Sequence, residues 1–201
     1  MKDDHAGEHL CSIFEGSSAG SQSTFFEEVK HFAIQHPENA FAQKIFGNVL
    51  FYQGRLLEAE SHYRSALEMD PDNIDLLYDL SIVLYYQARL TETQSQLQKL
   101  LKAAPEYSPA HYRLGLTYYH LGQYDKAIEH LNKCAVLSPD FEMAHFHLGI
   151  VWAKMGKLEL AIEQFHHQLD RNLKDAASRN YLEELFVKKW KSEVVKSADS
   201  Q

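Results

Sequence analysis

Apolar side chains recur along the chain at helical spacing, and the helical pattern itself repeats. Set in rows that begin at Ala40, Ile74, Ser108 and Glu142, thirty-four residues apart, the sequence places like residues in like columns. Column seven reads Phe46, Leu80, Leu114 and Leu148, column eleven Leu50, Leu84, Tyr118 and Trp152, and column eight the small residues Gly47, Ser81, Gly115 and Gly149. Columns four, seven, eight and eleven share one face of a first helix. Column twenty (Ala59, Thr93, Ala127, Ala161), column twenty-four (Tyr63, Leu97, Leu131, Phe165) and column twenty-seven share one face of a second. Gly54, Ala88, Gly122 and Gly156 in column fifteen mark the turn between the two helices. Pro71, Pro105 and Pro139 lack the amide hydrogen that would continue the second helix and so end it, while the fourth row has Leu173 there. Each row is therefore a helical hairpin, with units at 40–73, 74–107, 108–141 and 142–175.

The flanks read differently. Residues 1–23, rich in Ser and Gly from Ser12 onward and without an apolar period, read as a flexible tail. Thr24 with Glu27 reads as a capping box that opens a helix ending before Pro37. Within residues 24–39, Phe25, Val29, Phe32 and Pro37 fall in the columns of a second helix, so this segment closes the front of the stack as a half unit. Residues 176–201 form a second cap and a short tail: Leu182, Leu185, Phe186, Val187 and Trp190 are set on one side of an amphipathic helix, with Glu183, Glu184, Lys188, Lys189 and Lys191 elsewhere.

Composition narrows the class of partner. The 201 residues are 45% apolar and 24% charged, as in an ordinary folded protein. A net charge of −8 and no block of Lys or Arg argue against nucleic acid. Cys11 and Cys134 are the only cysteines and have no metal or redox spacing, which points to a reducing compartment. The first residues lack a basic start followed by an apolar run, and no apolar stretch of membrane-spanning length occurs. The expectation is a cytoplasmic protein with no membrane contact.

The twelve histidines invite a metal or catalytic reading, and their spacing argues against one. No HExxH or Cys/His zinc spacing occurs. His5 and His9, near Asp3, Asp4, Glu8 and Cys11, could collect a metal ion only adventitiously, because Gly7 and the tail context do not hold them in place. His111 and His145 share a packing column, His166 and His167 point to different helix faces, and Cys134 fills a column of small apolar residues. No nucleophile or phosphate-binding motif is present. The reading is non-enzymatic, with no cofactor and no metal.

The order L-G-x2-Y, then A-x3-F, then P resembles the tetratricopeptide repeat (TPR), and Leu114-Gly115-x2-Tyr118, Ala127-x3-Leu131 and Pro139 match it most fully. The resemblance covers Ala40 to Asp175. It implies an all-α, right-handed superhelical solenoid of stacked hairpins with capping helices. Departures are Gln43, Leu77, His111 and His145 where an aromatic is usual in column four, and Thr93 where a small Ala is usual.

The resemblance further implies a concave groove lined by columns two, five, six, nine, twelve and thirteen, which binds a peptide segment of a partner protein. Nine of those twenty-four positions are aromatic, against 12% of the chain, and their net charge is +1 (Lys44, Arg113 and Lys154 against Asp75 and Asp79). The candidate binding residues are Lys44, Asn48, Tyr52, Tyr78, Asp79, Tyr85, Tyr86, Tyr112, Arg113, Leu116, Tyr119 and His147. An aromatic, locally positive trough suits an acidic peptide. Family members that grip chaperone carboxylates use a clamp matched here by Lys44, Asn48 and Arg113, but Asp79 and Pro109 replace an Asn and a Lys of that clamp, and Asp79 should pair with Arg113 or Lys44.

Three uses remain open. The first is an adaptor or scaffold that holds a peptide in the groove. The second is a structural or self-assembling subunit, a homo-oligomer through the C-terminal helix with Phe186, Trp190, Val194 and Val195. The third is a co-chaperone with a partial clamp. The acidic tail residues Asp3, Asp4, Glu8 and Glu15 offer a further occupant for the groove.

Overall fold

A computed structural model describes residues 22–141 and 143–198. The tail read at 1–23, with its His5/His9 pair and Cys11, lies outside the described residues except for Gln22 and Ser23. Among the described residues there are ten helices and no strand. They are α1 (Gln22–Gln35), α2 (Ala40–Tyr52), α3 (Leu56–Met69), α4 (Ile74–Tyr86), α5 (Leu90–Ala103), α6 (Ser108–His120), α7 (Tyr124–Leu137), α8 (Met143–Lys154), α9 (Leu158–Arg171) and α10 (Ala176–Ala198). The described part of α1 begins at Gln22, so Thr24 sits inside the helix rather than capping it.

The turns within the pairs α2/α3, α4/α5, α6/α7 and α8/α9 share one hydrogen-bonding scheme. The amides of Arg55, Arg89, Gln123 and Lys157 donate to the carbonyls of Leu50, Leu84, Tyr118 and Trp152, at 2.9–3.0 Å. One residue earlier, Gly54, Ala88, Gly122 and Gly156 donate to Phe51, Tyr85, Tyr119 and Ala153. This double closure satisfies the last carbonyls of the first helix and requires a left-handed residue at the junction. Gly54, Gly122 and Gly156 stand at φ +75°, +72° and +74°, and Ala88 takes the same position at φ 59°. At the other junctions Asn39 and Asn73 accept from the amides of Ala42 and Leu76, which starts α2 and α4.

Column eight explains how closely paired helices approach. A Cβ added to Gly47, Gly115 or Gly149 would lie 2.7–2.8 Å from the side chain of Tyr63, Leu131 or Phe165, each in column twenty-four of the same hairpin. Columns seven, twenty and twenty-four are buried in all four hairpins. Gln168 is buried in column twenty-seven beside its equivalents Ala66, Leu100 and Cys134, and its Oε1 meets no hydrogen-bond donor among the described residues.

The described residues fall into two compact units, divided between Ala104 and Pro105. In the first, each helix from α1 to α5 packs on its neighbour in sequence. Val29, Phe32 and Ala33 of α1 share a core with Phe46, Leu50, Tyr63, Leu80 and Leu84. In the second, α6 to α10 pack in the same order. Asp175 caps α10 by accepting from the amides of Ala177 and Ser178. Leu182 and Leu185 of α10 join the core of Phe146, Ala161 and Phe165, and the Tyr181 ring lies nearly parallel to Phe165 at 5.2 Å.

The second apolar set of α10 does not share that face. Phe186, Val187 and Trp190 are exposed while Leu182 and Leu185 are buried, which corrects the reading of one continuous apolar side.

Candidate peptide-binding face

In the first unit the candidate residues lie on α2 and α4. Lys44 of α2 sets its ammonium 3.3 Å from Asp75 and 3.8 Å from Asp79, both on α4. Burial pushes the Asp79 carboxyl up to about 6; the Lys44 charge pulls it down and Asp75 pushes it up again. Two carboxylates thus stand against one cation, so this part of the face is not positive. A depression beside it is lined by Glu38, Asp70 and Asp75 with Phe41 and Lys44, which adds to its acidic character. The expected positive trough is therefore corrected here. The sum over columns missed these carboxylates because Glu38 and Asp70 belong to the loops before α2 and α4.

Asn48 is half-buried, and its Oδ1 accepts the Tyr63 hydroxyl at 2.6 Å. This engages in packing the oxygen of the side chain that would complete a clamp. Past Asn48 the surface becomes aromatic. Phe51 lies 5.7 Å from both Tyr52 and Tyr86, and Tyr86 lies edge-on to Tyr85 at 6.0 Å. Tyr52 is 86% exposed and Tyr86 58%, while Tyr85 and Tyr78 are half-buried. An exposed cluster of this kind presents ring faces, ring edges and hydroxyl groups together.

In the second unit the candidates lie on α6 and α8. Tyr112 packs its ring against Phe141 at 4.7 Å and edge-on to His147 at 5.4 Å, with its hydroxyl 3.2 Å from His147 Nδ1. His147 Nδ1 also lies 2.9 Å from the Met143 carbonyl, which can only accept, so that nitrogen carries the proton. Burial holds the His147 pKa below the usual range, the Met143 bond works against this, and the Arg113 charge reinforces it. Arg113 is half-buried on α6. Tyr119 neighbours Tyr124 and His120 at 6.0 and 5.2 Å. Leu116 is only 7% exposed, so it is a packing residue and not an open contact, as expected for an apolar side chain with neighbours in reach.

The column-four departures have partners that row-by-row reading did not reveal. Gln43 donates to the Ala33 carbonyl and meets His62 Nδ1 at 2.6 Å. His111 meets His130 at 2.9 Å, and His145 meets Gln164 at 2.8 Å. In all three the partner lies nineteen residues on, one residue before column twenty-four, so the polar group is satisfied inside its own hairpin. Among the described residues no three His, Cys, Asp or Glu side chains gather as a metal site, and no helix is long and apolar enough to cross a membrane.

A tetratricopeptide repeat model matches residues 108–141, and a second TPR repeat model matches residues 47–88. The chain is a tetratricopeptide repeat protein. Solved structures share the fold. YrrB, described as a TPR protein with an unusual peptide-binding site, aligns with a TM-score of 0.66 at 24% identity over 80% of this chain and 83% of its own. MamA from Desulfovibrio magneticus RS-1, from residue 41 onward, aligns at 0.76 and 22% identity over 86% and 98%. PilW, a widely conserved type IV pilus biogenesis factor, aligns at 0.76 and 16% identity over 92% of each chain. No curated protein matches the sequence. TPR repeats assemble proteins with one another, and this chain is built as such an interaction scaffold.

Proposed function

We propose that this TPR protein is a non-enzymatic adaptor that holds a peptide segment of a partner protein on the first-helix face of its hairpins, in a reducing, cytoplasmic setting. The observation that carries the reading is the aromatic cluster of Phe51, Tyr52, Tyr85 and Tyr86 on α2 and α4, in which Tyr52 and Tyr86 stand exposed. Exposed tyrosines lose little conformational freedom when they pack on a ligand, and their hydroxyls bond to its backbone. Tyr112, Tyr119 and His147 extend the same chemistry on α6 and α8. Because Lys44 already faces Asp75 and Asp79, acidic groups of a ligand are not favoured on this part of the face. Apolar and aromatic side chains of the ligand would meet the tyrosines. A peptide-binding site in YrrB, a protein of the same fold, is consistent with this use.

The test is selection from a random-peptide phage library on the wild-type chain, followed by titration of the selected peptides. Tyr52→Ala with Tyr86→Ala should weaken binding by at least about tenfold, the effect of truncating aromatic anchors. Equal affinity in a variant with unchanged helicity and melting would refute the reading.

A further inference from the structure

Helix α10 has two apolar faces, and among the described residues only one is packed against the rest of the chain. Its inner face, with Ser178, Leu182 and Leu185 buried, packs on α9, and Lys189 pairs there with Glu159 at 3.4 Å. Val187 and Trp190 lie off that face: at 3.6 residues per turn Val187 is about 140–160° around the helix from Leu182 and Leu185, and Trp190 about 80° from Leu182 and about 140° from Leu185. They are 53% and 63% exposed. A cap that only had to shield the end of a stack would be polar there.

The charges around this stripe identify what covers it. Glu183, Glu184, Lys188 and Lys191 border a shallow depression beside Val187, with the acids toward the start of the helix and the lysines toward its end. On a Val187/Trp190 seam, parallel pairing with a second α10 would set Lys191 against Phe186 of the other copy and leave it without an acid. Antiparallel pairing sets Glu184 of each copy against Lys191 of the other. With Val187 and Trp190 three apart, as in an a/d seam, the same register packs Val187 of one copy on Trp190 of the other, twice over. A two-fold axis generates both contacts from one helix.

We propose that the chain forms an antiparallel homodimer through the outer face of α10, centred on Val187 and Trp190 and registered by reciprocal Glu184–Lys191 pairs. This goes beyond the peptide-binding reading and uses none of its residues, so either can fail alone.

Sedimentation equilibrium of the full chain over a range of concentrations tests it. The wild type should sediment as a dimer. Trp190→Glu, whose effect counts twice at a two-fold interface, should raise the dissociation constant by more than about a hundredfold. Glu184→Lys should raise it by about tenfold or more, and adding Lys191→Glu should bring it back toward the wild type. Circular dichroism and melting would show that each variant folds. A wild type monomeric at every concentration overturns the proposal and assigns the face to a different protein. A dimer unaffected by Trp190→Glu, or a charge swap that fails to restore association, overturns the interface and the register.

Discussion

Single residues decide how each hairpin closes. Gly47, Gly115 and Gly149 leave room for Tyr63, Leu131 and Phe165, and the absence of a side chain is what lets the two helices touch. At the turn, backbone conformation matters rather than space. Ala88 adopts φ 59° where its three equivalents are glycine, and a left-handed L residue costs about 1–2 kcal/mol. Glycine there would lose some of that gain through its freer unfolded state, roughly 0.5–1 kcal/mol. Ala88→Gly should therefore stabilise the chain by about 0.5–1 kcal/mol, read as a shift of the denaturant midpoint. Gly122→Ala should move it the other way by a similar amount, because no atom lies within 4 Å of the added Cβ and only the backbone objects. An Ala88→Gly midpoint at or below the wild type would contradict the strain.

At the level of the element, the polar couples tie first helix to second and make α6/α7 sensitive to acid. The Pro105 carbonyl accepts from His111 Nε2, so in the neutral ring Nδ1 is the acceptor and His130 Nδ1 must donate to it. A proton on His111 Nδ1 would set two N–H groups head to head. Burial pushes the His130 pKa down to about 4, helped by the neighbouring His111, and burial lowers His111 as well. The unfolded chain binds these protons near pH 6.5 and the folded chain does not. Stability is thus complete above pH 6.5 and declines as pH falls toward about 4, by on the order of 2 kcal/mol for this pair. His130→Gln, which copies the His145–Gln164 arrangement of α8/α9, should flatten that decline in melts taken from pH 7.5 to 4.5. An identical acid limb in both proteins would show that the pair does not cause it.

For the whole molecule, a net charge of −8 says little about any one face, because tertiary placement sets the local balance. Asp79 illustrates this. Its carboxyl is raised by burial to about 6 from an ordinary 3.8, so the unfolded chain ionises it first and the folded state loses stability as pH rises between those values. Asp79→Asn should stabilise the chain by about 1 kcal/mol at pH 7.5 and by much less at pH 4. A gain that does not grow with pH would mean that Lys44 compensates the buried charge. The sequence alone determined the period, the helix pairs and the buried columns, since a 34-residue repeat writes the same local contacts four times. Those contacts lie between residues close in the chain, where spacing and side-chain size suffice to read them. The candidate binding residues were legible only as columns. That Lys44 is committed to two carboxylates, that Leu116 is buried and that Tyr52 and Tyr86 stand open depends on how one helix sits on the next. The two faces of α10 were read as one for the same reason: an apolar residue records that it prefers a partner, and only the packed structure decides which side of the helix its own chain supplies.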